Sequence, residues 1–148
     1  MAFHFALEPI LRLRQSLERQ RAIALQRASM DVVRAEEALG RLDRVLDESA
    51  EEDSRLLTGG RMAAELHFSI LLREQLRQLR VRVEEEIGRL EAVRQEAARV
   101  YRRAMQEREA LEALRASQRR VYQREQMRRE QQETDAAFLL RRWPHREG

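Results

Sequence analysis

Residues 25–46 read LQRASMDVVRAEEALGRLDRVL, and within them an apolar residue recurs at alternating intervals of three and four. The recurring positions are Leu25, Ala28, Val32, Ala35, Leu39, Leu42 and Leu46. This spacing places them along one side of an α-helix and is the heptad seam of a coiled coil. The stretch therefore predicts a long helix that buries its seam against another helix.

The predicted helix extends in both directions from this stretch. Pro9 suits the first position of a helix. At that position the backbone N–H of any residue has no partner within the helix, so proline loses nothing by lacking it. Apolar residues follow it, out of phase with the later seam, at Ile10, Leu13 and Leu17. Residues 47–53 hold five acids and no base, and Thr58-Gly59-Gly60 is a helix stop and turn signal. Helix 1 is predicted over about residues 9–56 and the turn over about 57–61.

A second helix is predicted over about residues 62–141, because no helix breaker occurs between the turn and Pro144. One line of its seam is apolar at Leu76, Val83, Leu90, Ala97, Ala104 and Leu111. The position three residues further on is apolar at Leu79, Val93, Val100, Leu114 and Val121. Two seams joined by one short turn favour antiparallel packing of the helices.

The predicted fold class is all-α, with two long helices forming an antiparallel coiled-coil hairpin in a single domain over residues 1–148. Counting outward from Gly59 places Leu46 near Leu72 and Ile10 near Arg108. Helix 2 would then run past helix 1 from about Leu111 onward. The turn end would be acidic and this open end basic.

The composition excludes several other classes of protein. The chain has 29 arginines, no lysine, no cysteine, and only five glycines and two prolines in 148 residues. Sheets need frequent turns, so a β-rich fold is excluded, and the missing thiols exclude a disulfide scaffold. The pI is about 10.3 although the net charge is only +3. With no lysine or cysteine, few groups titrate between the carboxylates and the tyrosines, so a small positive charge persists to high pH. We therefore do not infer nucleic-acid binding from the pI.

No pattern of catalytic or ligand-binding residues is found. The three histidines, His4, His67 and His145, lie far apart in the sequence, and no glycine-rich phosphate loop occurs. We expect no enzyme activity, no cofactor, no metal site and no small-molecule ligand. The N-terminus lacks the pattern of a signal peptide, and the longest apolar run is too short to span a membrane. We therefore expect a cytoplasmic protein.

The open end holds the candidate binding residues, and each group has two interpretations. The arginines of helix 2 would form either a solvated helix face or a surface that binds a partner. Phe3, Phe5 and Leu7 would either cover the seam near residues 111–121 or contact a partner directly. The arginines are Arg119, Arg120, Arg124 and Arg128.

Two segments resemble those of the FliJ family of flagellar export proteins. Residues 3–14, FHFALEPILRLR, resemble the family's N-terminus, with alternating aromatics followed by leucines and a basic residue. Residues 119–137, RRVYQREQMRREQQETDAA, resemble its basic helix ending in a short acidic motif. The length and the two-helix layout also agree with the family.

The resemblance implies a function that composition alone does not. Family members resemble the central stalk of rotary ATPases, associate with the hexameric flagellar export ATPase, and contact the export gate membrane protein and export chaperones. It implies a non-enzymatic, cytoplasmic component, associated peripherally with the cytoplasmic face of the inner membrane through its partners. Its predicted partner-binding residues would be Phe3, Phe5, Leu7, Arg119, Arg120, Arg124 and Arg128.

Three other functions remain open at this stage. An injectisome stalk protein would share the same architecture. A basic coiled-coil module would bind nucleic acid or another polyanion through the arginines, with a steep dependence on salt. A structural scaffold would pair helix 2 between two chains.

Overall fold

The computed structural model describes residues 2–57, 59 and 63–143, which form two α-helices and no β-strand. Helix α1 spans Glu8–Leu57 and helix α2 spans Ala63–Arg142. Residues late in α1 pair with residues early in α2, as Asp53 does with Arg73. Residues early in α1 pair with residues further along α2, as Glu18 does with Arg108. The predicted all-α antiparallel hairpin is confirmed.

Helix α1 ends at Leu57, directly before the predicted glycine signal. The N–H of Gly59 donates a hydrogen bond to the carbonyl oxygen of Leu56 at 3.1 Å, which closes the last turn of α1. The second glycine, Gly60, lies outside the described residues, as do residues 58, 61 and 62. No helix in the described part of the chain is long and apolar enough to cross a membrane.

The chain divides into two compact units. The turn unit is Arg19–Arg102, and the terminal unit combines Met1–Glu18 with Arg103–Gly148. The single domain over residues 1–148 stays a prediction.

The seam of α1 over residues 25–46 is confirmed by burial. All seven of its apolar positions are buried or half-buried, and Ala28 and Val32 are the most buried of them. Such a stripe stabilises the helix because it leaves water on packing, at about 25 cal/mol per Å² of apolar surface.

Before Leu25 the predicted seam of α1 is wrong at Ile10 and Leu13, whereas Leu17 is half-buried as predicted. Ile10 and Leu13 are exposed, whereas Leu11 is fully buried. Leu11 lies two heptads before Leu25, so the seam continues without a phase shift. The three intervening seam positions hold Arg14, Glu18 and Arg21, of which the first two are half-buried and Arg21 is exposed, and these polar residues conceal the repeat in the sequence.

One line of the predicted α2 seam is confirmed and the other is wrong. The line through Leu76, Val83 and Leu90 is half-buried along its whole length to Leu111. The partner line three residues on is mostly exposed, at Leu79, Val93, Leu114 and Val121. The half-buried partner line instead lies four residues on, at Arg73, Arg80, Ile87, Arg94, Tyr101 and Arg108.

Arginines occupy this second line because acids of α1 face them. In the turn unit, Arg73 Nη2 lies 2.7 Å from Asp53 Oδ2. Arg80 Nε donates to Asp43 Oδ1 at 2.5 Å. A half-buried arginine keeps its charge at low cost when a carboxylate accepts its hydrogen bonds and its carbon stem covers apolar surface. Apolar residues therefore form one line of the α2 interface, and these ion pairs form much of the other.

An ion pair of the terminal unit corrects the predicted register there. Counting from Gly59 placed Ile10 near Arg108, but the residue beside Arg108 is Glu18. The difference is eight residues, or about two helical turns. The register follows the matching of acids to arginines across the interface and not the midpoint of the turn.

Candidate partner-binding surface

The N-terminal segment before α1 packs against α2 within the terminal unit. The rings of Phe3 and Tyr122 lie 5.6 Å apart at an interplanar angle of 49°, a favourable geometry for an aromatic pair. Phe5 is buried, with 3% of its surface exposed. The N–H of Glu8 donates to the carbonyl oxygen of Phe5 at 3.1 Å, which links the segment to the first turn of α1. The segment therefore covers part of α2, as one of the two sequence-based interpretations predicts.

Charged contacts fix the start of α1 on α2 beside this segment. Arg108 donates to both carboxylate oxygens of Glu18, at 2.5 and 3.0 Å, and to Glu112 at 2.7 Å. These hydrogen bonds raise the pKa of Arg108 above its ordinary value, because they favour the charged guanidinium. Arg14 donates to Glu107 at 2.6 Å, and Arg115 lies 3.5 Å from Glu8. The contacts hold the surrounding surface in one geometry.

The candidate residues differ in their accessibility. Phe3 and Leu7 are half-buried, so part of each side chain remains available to a partner. Phe5 is too buried to contact a partner while this packing persists, and it holds the segment in place. The four candidate arginines, Arg119, Arg120, Arg124 and Arg128, are all exposed.

Of the four arginines over residues 113–124 of α2, only Arg115 pairs with an acid, Glu8, within the described residues. Residues 113–124 contain four arginines and no acidic residue. Within the described residues, Arg119, Arg120 and Arg124 make no ion pair. Arg128 is different, since it donates to Glu125 at 3.1 Å. The three unpaired guanidinium groups keep their hydrogen-bond donors available for carboxylates of another molecule.

Exposed apolar residues accompany these charges. Leu114 and Val121 are one heptad apart, and Arg128 continues the same line after another seven residues. Arg124 lies beside this line, while Arg119 lies on the other side of the helix, because successive residues turn by about 100°. Sequence reasoning had assigned Leu114 and Val121 to the buried seam. The sequence feature that sets Leu114 and Val121 apart from the buried seam is the absence of acidic residues over 113–124.

Comparison with known proteins identifies the family of the chain. The family model described as "Flagellar FliJ protein" matches residues 3–148. The chain belongs to the FliJ family. It is therefore a component of the flagellar protein export apparatus, and the family has a non-catalytic role there. No curated protein and no solved structure matches the chain.

The match confirms the resemblance that residues 3–14 and 119–137 indicate. It covers almost all of the chain and so includes both units of this FliJ-family protein. It favours a flagellar protein over an injectisome one. The family does not by itself assign a partner to any residue.

Proposed function

We propose that this FliJ-family protein is a stalk that engages the ring of the flagellar export ATPase through its terminal unit. The observation that carries the proposal is the acid-free arginine segment, residues 113–124, with exposed Leu114 and Val121 beside it. The proposed contact residues are the sequence-predicted Phe3, Leu7, Arg119, Arg120, Arg124 and Arg128, together with Leu114 and Val121, and Phe5 holds Phe3 in position.

The distribution of these residues around α2 suits a ring. Arg119 and Arg124 lie on different sides of the helix, so one flat partner would not reach both. A ring surrounds a helix and can present a separate subunit to each side. The ion pairs of Arg108 and Arg14 keep α1 and the N-terminal segment fixed beside the helix while it is surrounded.

The charged and the apolar groups have different roles in this contact. Arginines at the edge of an interface mainly accelerate encounter with an acidic partner and select its orientation. Apolar groups that become buried mainly determine how long the complex lasts. Phe3, Leu114 and Val121 are therefore the anchors, and the unpaired arginines guide the approach.

The other partners that the family implies extend this proposal. The export gate membrane protein and export chaperones would bind surfaces outside the terminal unit, so that the stalk links them to the ATPase. The protein would act on the cytoplasmic side of the inner membrane and associate with it peripherally.

Charge reversal at Arg120 and Arg124 tests the role of the arginine segment. Arg120→Glu with Arg124→Glu should weaken binding to the purified export ATPase at least about tenfold at low salt, because like charges then oppose the approach. Binding is measured by surface plasmon resonance, and the loss should lie mainly in the association rate. Circular dichroism should be unchanged.

Arg41→Glu with Arg82→Glu is the matched control, since both residues are exposed and make no ion pair within the described residues. This variant carries the same charge change in the turn unit and should bind the ATPase normally. Equal losses of ATPase binding in both variants would show that the effect comes from the change in net charge alone. Tight binding of RNA at physiological salt, abolished by the Arg120 and Arg124 reversal, would support the polyanion-binding alternative instead.

Substitutions in the N-terminal segment separate its two roles. Phe3→Ala should lower the affinity for the ATPase about tenfold without loss of helicity, the cost of removing an aromatic anchor. Phe5→Ala should lower the affinity and also speed hydrogen exchange at the amides of residues 2–8, because the segment loses its buried side chain. If the Phe3 variant bound normally, the segment would serve only to cover α2.

A further inference from the structure

The last two turns of α2 carry an apolar face of their own. Ala136, Leu139 and Leu140 have the spacing i, i+3 and i+4, which places them on one side of α2, and Trp143 follows directly after the last residue of the helix. Leu139, Leu140 and Trp143 are 53%, 74% and 66% exposed. None of these side chains is covered by another element of the described chain. We call residues 136–143 the α2 tip.

The opposite side of the α2 tip is basic. Arg141 and Arg142 lie there together with Phe138, and the guanidinium carbon of Arg142 lies 6.0 Å from the centre of the Phe138 ring. This contact is a cation–π interaction and holds the arginine against the helix. The α2 tip contains no acidic residue.

Acidic residues precede the α2 tip and mark its N-terminal boundary. Glu130, Glu133 and Asp135 precede it within six residues. Asp135 accepts a hydrogen bond from Gln131 at 3.1 Å, so its carboxylate belongs to the polar part of the helix. The helical part of the tip, residues 136–142, therefore extends over about 10 Å, and Trp143 follows it.

These features favour a lipid surface over a helical partner as the occupant of the face. A coiled coil with another helix needs an apolar seam sustained over several heptads, whereas this face covers about one. An interfacial helix needs apolar side chains to enter the acyl boundary and basic ones to meet anionic headgroups. Tryptophan is the side chain most typical of that boundary, because its ring is apolar and its N–H is polar.

We propose that the α2 tip binds the surface of an anionic membrane, with Leu139, Leu140 and Trp143 entering the headgroup region and Arg141 and Arg142 contacting acidic lipids. The contact is short, and it is therefore weak and reversible on its own. It would add a direct lipid contact to the association through protein partners, and it does not depend on engagement of the ATPase ring.

Trp143 is the only tryptophan of the chain and reports the contact directly. Its fluorescence is recorded while full-length protein is titrated with vesicles of phosphatidylglycerol and phosphatidylcholine in equal amounts. The emission should shift to the blue, and brominated lipid should quench it. Vesicles of phosphatidylcholine alone should shift it far less, because they offer no charge to Arg141 and Arg142.

Two variants and one control define the surface. Leu139→Asp with Leu140→Asp should abolish the shift, and Arg141→Glu with Arg142→Glu should reduce the apparent affinity at least about tenfold. Met127→Asp is the control, since Met127 is a highly exposed apolar residue of the same helix outside the tip. It should leave the shift unchanged.

Three outcomes would overturn the proposal. The first is an emission spectrum that anionic vesicles do not change. The second is an equal shift with both kinds of vesicle together with insensitivity to the Arg141 and Arg142 reversal. The third is a blue shift that develops with protein concentration in the absence of vesicles, which would assign the face to a second copy of the chain. None of these outcomes bears on binding of the ATPase by residues 113–124.

Discussion

Leu11→Ala should lower the free energy of unfolding by about 3 kcal/mol, the middle of the range for a leucine in a packed core. Leu11 is the one side chain of the described residues that is both large and fully buried. Its removal deletes apolar contacts and leaves a cavity at a fully buried position of α1. Urea denaturation followed by circular dichroism at 222 nm measures the loss.

Leu13→Ala is the matched control, because Leu13 is 58% exposed two residues further along the same helix. It should cost less than about 1 kcal/mol, as substitutions at exposed sites usually do. The comparison also decides between the two seams of α1, since the periodicity alone had favoured Leu13. A larger loss for Leu13→Ala than for Leu11→Ala would contradict the observed burial.

Asp53→Ala should lower the free energy of unfolding by about 3 kcal/mol, the lower end of the range for breaking a buried ion pair. Only 7% of the Asp53 side chain and 17% of the Arg73 side chain are exposed. Asp53 also accepts a hydrogen bond from Ser69 Oγ at 2.6 Å. Arg73 Nε already lacks a hydrogen-bond partner within the described residues, so losing the carboxylate leaves a poorly solvated charge with little compensation.

Two further variants test the cause of this loss by the same denaturation measurement. Glu52→Ala changes an exposed acid next to Asp53 and should cost less than about 0.5 kcal/mol. Asp53→Leu combined with Arg73→Met should recover most of the stability, because replacing both members of a buried pair by apolar residues removes the unpaired charge. If the double variant were as unstable as Asp53→Ala, the loss would have come from packing or from Ser69 instead.

The heptad repeats explain which parts of the fold were predictable from the sequence. The seam from Leu25 to Leu46 and the line from Leu76 to Leu111 consist of apolar residues at regular spacing, a local pattern that needs no knowledge of the partner helix. The glycine signal at Gly59 likewise acts locally. The two helices, their antiparallel arrangement and the family followed from these patterns and from the two terminal segments.

The candidate site was predictable in its location but not in its detail. The arginines of residues 119–128 stand out in the sequence and are exposed in the structure. Whether Phe5 contacts a partner or packs inside the protein could not be read from an alternating aromatic pattern, which suits both roles. Its burial follows from the packing of the whole segment, in which Phe3 contacts Tyr122 of α2, more than 100 residues away in the sequence.

By itself, the sequence determined the two helices, the turn signal, the seam of α1 over residues 25–46 and one seam line of α2, because apolar periodicity is a local property of the chain. Only the tertiary structure decided the second line of the α2 seam. Arg80 and Arg108 count as polar in any sequence pattern, yet Asp43 and Glu18 of α1 make them part of the interface. A charged side chain is stable at such a position only when its counter-ion is brought to it by folding, and pairs so distant in sequence carry no local signal.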